Sequence, residues 1–340
     1  MLRGVAVLMV LIYHMGIYEG KASADAILSK IPSMGQAGVD IFFVISGFVM
    51  ITISVRPRKA EDKPGEFLMK RAIRIYPLYW FYTAVALAIF WLRPDLANRS
   101  GGVEQTSVPL SLLLLPDKSG APIVGQGWTL IHEMYFYLVF SLSLIAKPFL
   151  RNRLLAVWAV IVVFGAYACN PSSNVWLNLI LNPLTLEFLG GCWIAWMVSN
   201  GWRKMGKTAF ILGAISLVYA GTPYFPKASV PREFAFGIPA LLIVYGAIAM
   251  ERTSGFVGPR FLKTLGDASY SIYLSHIFCL STCLLVWKRF KAAGPVDNLV
   301  VIAAMGTVSL AVGLASYRYL EKPLQRLGRL VPNGKTALPK

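Results

Sequence analysis

The chain has 340 residues, 56% apolar and 14% charged, and its 33 Lys and Arg against 16 Asp and Glu leave a net charge of +17. Soluble globular domains are roughly 45–50% apolar and about 25% charged, so that class is excluded. Membrane spans of about 20 residues absorb the apolar excess and leave little chain for a second domain, while the positive balance calls for anionic neighbours such as acidic lipid headgroups or phosphorylated ligands.

Apolar runs broken by polar or Pro/Gly punctuation fall at 2–18, 38–55, 75–92, 128–146, 154–169, 176–198, 208–220, 234–250, 268–287 and 298–317. They predict an all-α polytopic membrane protein with about ten transmembrane helices, one membrane domain over residues 1–320 and a short basic tail at 321–340. The first run has no small-residue cleavage site and carries His14 near its centre, so it reads as a retained helix. Leu110 to Leu115, between Pro109 and Pro116, is too short to span and is expected to lie in the interface or re-enter. With both termini in the cytoplasm, 23 of the 33 Lys and Arg fall on the inner side, which sets the expected orientation. Lys288, Arg289 and Lys291 form one outer cluster against that rule. The basic residues are spread over the inner loops and the tail, a pattern that does not imply nucleic acid. Cys169, Cys192, Cys279 and Cys283 sit in apolar stretches with no CxxC pair and read as packing residues, and no metal cluster, Walker loop or HExxH motif is present.

Ionisable residues inside spans are costly and are functional candidates by default. His14 follows Arg3 by eleven positions, close to three helical turns, so the two share a face about 16 Å apart. The structural reading of His14 is a bridge between helices. The catalytic one is a general base, for which desolvation favours the neutral imidazole that is needed. Glu133 lies about 8 Å below Trp128 in GWTLIHEMYFYLVF, near the expected depth of His14, and is read as the carboxylate that orients it. His132 points about 100° away from Glu133. His276, in ASYSIYLSHIFCLS, also reaches mid-membrane depth, where a structural and a substrate-facing role are equally open. Glu187 reads as a paired packing residue. Lys70, Arg71 and Arg74 precede the third span; they suit positive-inside topology, and the three-residue spacing of the arginines suits a diphosphate. His14 to Glu19 has a His-x4-acid spacing but sits in a helix leaving the membrane and carries little weight.

Five stretches in order resemble the acyltransferase-3 family of bacterial membrane O-acyltransferases: LRGVAVLMVLIYH, GQAGVDIFFVISGFVM, FLMKRAIRIYPLYW, GWTLIHEMYFYLVF and SYSIYLSH. The likeness runs from residue 2 to about residue 323 and looks strongest toward the exopolysaccharide-modifying branch. It implies a protein of the bacterial inner membrane that takes an acyl group, expected to be acetyl, from cytoplasmic acetyl-CoA. The implied acceptor is a sugar hydroxyl of a polysaccharide or lipid-linked glycan, and no metal is implied. Carried onto these residues, the resemblance makes His14 the catalytic histidine, Arg3 its companion, and Arg71 and Arg74, with Lys70 beside them, the donor-binding cluster. Trp128, Ser46, Tyr76 and His276 are expected at the substrate, with Ser46 and Tyr76 as donors to the carbonyl oxygen.

Two departures stand out. The chain begins just before Leu-Arg-Gly where the family carries several more residues, which points to a start set too late or a truncation. No extracytoplasmic esterase-like domain follows the last span, so the acceptor is expected to be positioned by the membrane domain or by a partner in the polysaccharide-synthesis machinery. The rival readings are a glycan or lipid flippase, in which the intramembrane His and Glu relay protons, and a scaffold in a polysaccharide synthase complex.

Overall fold

The computed structural model describes residues 1–21, 23, 25–28, 33–54, 63–93, 106–168, 174–226, 229–255, 258–290 and 294–329. Cys169, the basic residues Arg56, Arg58, Lys59 and Lys291, and the tail beyond Arg329 lie outside them. The described residues form helices and turns with no strand. Eight helical stretches are long and apolar enough to cross a membrane: Leu2–Gly20, Met34–Ile53, Pro64–Leu92, Phe149–Ala168, Val175–Ser199, Glu233–Ser254, Ser269–Arg289 and Val296–Leu327. Trp128–Ser143 and Gly206–Gly221, each of 16 residues, coincide with the two remaining predicted spans. The chain is an all-α, multi-pass membrane protein.

The helix α1 (Leu2–Gly20) is the hub. It packs on α2 (Ala37–Ser54), on the short amphipathic α11 (Arg260–Asp267), on α12 (Ser269–Phe290) and on α13 (Pro295–Ser316). Glu19 ends α1 by turning its carboxylate onto the following loop, where the N–H groups of Ile27 and Leu28 donate to it at 2.7 and 2.6 Å. Both oxygens are thereby used for backbone that has no helical partner, and Glu19 is fully buried.

On the other side of α2 lies α8 (Leu184–Ser199). A methyl group on Gly47 would fall 1.8 Å from the Phe188 carbonyl oxygen, and one on Gly191 would fall 2.0 Å from that of Val44. The two backbones touch because neither glycine carries a side chain, the usual way to join helices where lipid supplies no hydrophobic drive. Alongside this seam Phe136 of α5 (Trp128–Ser143) stacks on Phe188 with centroids 4.3 Å apart and packs on Trp158 of α6 (Pro148–Ala168). The pair α9 (Gly206–Gly221) and α10 (Ile238–Ser254) closes the far edge.

Two features set depth in the bundle. The 29 residues of α3 (Pro64–Leu92) extend roughly 43 Å, longer than the hydrocarbon core, and the helix begins eleven residues before the apolar run, so Lys70, Arg71 and Arg74 are helical. Against its middle turns the short α4 (Val108–Leu113) dips into the bundle: Tyr76, Tyr79 and Trp80 donate to the carbonyls of Leu113, Ser111 and Leu112 at 2.9 Å each. The Leu110 to Leu115 segment is thereby tied to the middle of α3. The chain then passes through a turn, Gly125–Gly127, in which Gln126 and Gly127 are buried, into α5, whose 16 residues cover about 24 Å.

The short α7 (Val175–Ile180) precedes α8 and is capped by the Asn174 side chain, which accepts from the N–H groups of Trp176 and Leu177. Two π-helical turns interrupt the remaining spans, Glu233–Gly237 before α10 and Tyr317–Glu321 after α13. The helix carrying the expected 320/321 division continues as α14 (Lys322–Arg329), and Glu321 is buried in the bundle, accepting from Ser271 Oγ at 2.6 Å.

Candidate active site

Two cavities meet inside the bundle. The larger, about 1160 Å³, runs from the end of the bundle that holds Lys21 and Lys288 down to Val10, His14, Gln126, Trp128 and Tyr273. The smaller, about 50 Å³, holds Arg3, Ser46, Glu133, Thr129, Ser269 and Tyr270. Val39 and Tyr273 line both, so they form the partition between the two. Tyr273 is fixed there by its hydroxyl, which lies 3.0 Å from Thr129 Oγ1 and donates to the Gln126 carbonyl at 3.1 Å, while Phe42 meets its ring edge at 6.5 Å.

His14 stands on the larger cavity with its Nδ1 2.9 Å from the Val10 carbonyl one turn below. A carbonyl only accepts, so Nδ1 carries the proton and Nε2 holds the lone pair. Behind it His276 places Nδ1 2.7 Å from the Tyr273 carbonyl, which fixes the same tautomer, and turns its bare Nε2 toward His14 Nδ1 at 3.4 Å. The rings meet edge to face with centroids 4.9 Å apart. This arrangement leaves His14 with a basic nitrogen and with an acceptor behind it for the proton on its other nitrogen, the arrangement a general base needs.

Glu133, expected from depth to orient His14, does not meet it. Ser46 Oγ donates to Glu133 at 3.3 Å, and the Tyr137 hydroxyl donates to the same oxygen. Trp128 starts α5 and lines the larger cavity with His14, whereas Glu133, about a turn and a half further along the helix, lines the smaller one on the Arg3 side of the partition. Arg3 donates through Nε to Ser269 Oγ at 3.3 Å and rests over the Phe42 ring, 5.7 Å from its centroid. His14 and Arg3 thus occupy adjoining chambers along one face of α1.

The other sequence candidates divide clearly. Trp128 lines the chamber of His14, and Ser46 that of Arg3. Tyr76 lines neither, since its hydroxyl is taken by the Leu113 carbonyl. His276 is 1% exposed and does not line the larger cavity, but it touches two residues that do, His14 and Tyr273. Arg71 is buried with its guanidinium over the rings of Phe67 and Tyr137, Arg74 is half-buried, and Lys70 is exposed. Arg71 therefore contacts the tyrosine that holds Glu133, which links the basic start of α3 to the smaller chamber.

One polar cluster was not foreseen. Arg232, just before the π turn, pairs with Asp40 of α2 at 2.7 Å and donates to the Gln36 side chain at 3.1 Å and carbonyl at 3.3 Å. Glu187 of α8 is buried with its carboxyl against Asp40. Asp40, near the start of GVDIFFVISGF, was the available signal, because an acid in an apolar span requires a partner.

The chain matches the acyltransferase-domain family Acyl_transf_3 over residues 1–318. It is similar to the exopolysaccharide production protein ExoZ of Rhizobium meliloti (strain 1021), 34% identical over 314 residues that cover 87% of this chain and 92% of ExoZ. It is similar also to the acyltransferase MdmB of Streptomyces mycarofaciens, 27% identical with 90% of this chain and 85% of MdmB covered. A third relative is the peptidoglycan O-acetyltransferase OatA of Listeria monocytogenes, 22% identical over 96% of this chain and 55% of OatA. No solved structure matches it significantly.

Proposed function

The chain belongs to the acyltransferase-3 family and is a membrane O-acyltransferase, and from that premise we propose that it moves an acetyl group from acetyl-coenzyme A to a sugar hydroxyl of an exopolysaccharide or its lipid-linked precursor, in the bacterial inner membrane with both termini in the cytoplasm. The observation that carries this reading is His14, whose tautomer leaves Nε2 basic on a cavity large enough for a glycan. Ligand sites commonly measure about 300–1,000 Å³, and this one is larger.

In this reading the coenzyme A phosphates bind near Arg74 and Lys70 at the cytoplasmic end of α3, with Arg71 positioning Tyr137. The acylated arm enters through the chamber of Arg3 and Glu133 and presents its thioester at the Tyr273 partition. The acceptor occupies the larger cavity from the opposite end. His14 Nε2 takes the proton of the acceptor hydroxyl as its oxygen attacks the thioester carbonyl carbon. The C–S bond then breaks, the sulfur takes the proton back from His14, and the products are the sugar ester and coenzyme A thiol. The chemistry is proton-neutral overall, so His14 returns to its starting state.

The test is acyl transfer by purified protein in nanodiscs, given labelled acetyl-CoA and an oligosaccharide, with ester formation read by mass spectrometry. Labelled ester is expected. Glycan movement across the bilayer without ester formation would support a flippase instead. For the donor site, Arg71→Ala with Arg74→Ala should weaken coenzyme A binding more than acceptor binding; equal coenzyme A affinity in wild type and double variant would remove those residues from the site.

A further inference from the structure

Of the cluster expected to break the positive-inside pattern, Lys288 lines the larger cavity. Lys21, at the end of α1, lines the same cavity, and both lysines are exposed, which puts them at its mouth. Lys21 rests over the Tyr18 ring, 5.3 Å from its centroid, and the Tyr18 hydroxyl is held by Ser281 Oγ at 3.0 Å on the helix of Lys288. The two lysines are therefore carried by two helices tied together at the rim.

No Asp or Glu stands among the described residues that line this cavity. The nearest acid on α1, Glu19, is buried and spends both oxygens on backbone N–H groups. Arg232, deeper in the wall, is compensated by Asp40, so the uncompensated charge of the lining lies at the two lysines. The same wall carries Tyr13, Tyr18 and Trp128, apolar faces with polar tips that suit a sugar ring.

We propose that the acceptor is an anionic glycan, whose carboxylate or phosphate group is held by Lys21 and Lys288 at the cavity mouth while a neutral hydroxyl farther along the molecule reaches His14. This rests on the reading of the larger cavity as the acceptor chamber. The charge-assisted contacts act at the mouth, where they also draw an anion toward a cavity free of competing acids. The two sources of the anion, a uronate-type sugar and the diphosphate of a lipid-linked glycan, share this chemistry.

The experiment measures equilibrium binding, without donor, of three probes to the full chain in nanodiscs of neutral lipid. They are a neutral oligosaccharide, the same oligosaccharide bearing one uronate, and the same oligosaccharide on a prenyl diphosphate. A prenyl diphosphate lacking sugar is subtracted as a lipid control. Wild type is expected to bind at least one anionic probe about tenfold more tightly than the neutral one, with an advantage that shrinks as salt rises. Which anionic probe gains more identifies the source. In the double variant Lys21→Gln, Lys288→Gln the advantage should fall to about twofold or less.

Equal binding of neutral and anionic probes by wild type, or an advantage that survives the double variant, overturns the proposal. So does a loss of coenzyme A affinity in that variant, which would make the mouth a donor site. Because binding is read without chemistry, an anionic preference in a protein that transfers no acetyl would sustain this inference while defeating the proposed reaction.

Discussion

His276 turns its unprotonated Nε2 toward the Nδ1–H of His14 across 3.4 Å, with its own Nδ1–H committed to the Tyr273 carbonyl at 2.7 Å. A neutral acceptor thus stands where a carboxylate holds the histidine base in many hydrolases. In the proposed reaction His276 is a positioning residue for His14, one that steadies a tautomer without adding a negative charge to the bilayer interior.

Removing that acceptor should leave substrate binding and lower turnover. His276→Ala is expected to reduce kcat by about 10²-fold, the order produced by small misplacements of a catalytic group, with little change in the KM for acetyl-CoA. His276→Gln, whose amide oxygen reaches the same position, should recover part of kcat. Steady-state kinetics in nanodiscs check this; a change confined to KM, or no rescue by Gln, would make His276 a packing residue only.

Glu133 should behave differently from a base-orienting residue. Its oxygen accepts from Ser46 and Tyr137 in the chamber of Arg3, so Glu133→Gln alters that chamber and keeps the tautomer of His14. The expected result is a loss of about 1–3 kcal/mol in stability, read as a lower Tm of the solubilised protein, and a smaller fall in kcat than His276→Ala causes. A kcat loss matching that of His14→Ala would restore Glu133 to the catalytic dyad.

The His-x4-Glu spacing makes a third contrast. Glu19 holds the loop after α1 through the N–H groups of Ile27 and Leu28 at 2.7 and 2.6 Å. Glu19→Gln retains a single acceptor oxygen and should cost about 1–3 kcal/mol of stability, with turnover per folded molecule unchanged. Loss of turnover in protein with an unchanged Tm would give Glu19 a chemical role that its geometry does not suggest.

Much of this was legible in the sequence because a bilayer simplifies the code: apolar runs of span length mark helices, and ionisable residues inside them stand out. The ten predicted spans coincide with helices, and His14, Trp128, Arg3 and Ser46 line the two cavities. The pairing of side chains between helices was not legible, since it depends on where each helix starts in depth. After the turn Gly125–Gly127, α5 carries Trp128 to the larger cavity and Glu133 to the smaller, and His276 is the neighbour of His14. The ladder of donors from α3 to the carbonyls of α4 similarly took Tyr76 away from the site. Arg232 meets Gln36 and Asp40 across 196 and 192 positions of sequence, contacts that no local spacing reveals.

The central claim is that His14 is the base for acyl transfer, and it is tested most directly by comparing wild type, His14→Ala and His14→Gln in the labelled acetyl-CoA assay, with coenzyme A binding measured on the same preparations. Ester formation should fall by about 10²–10⁴-fold in both variants while coenzyme A affinity stays within about twofold of wild type. Undiminished ester formation by folded His14→Ala protein would contradict the account.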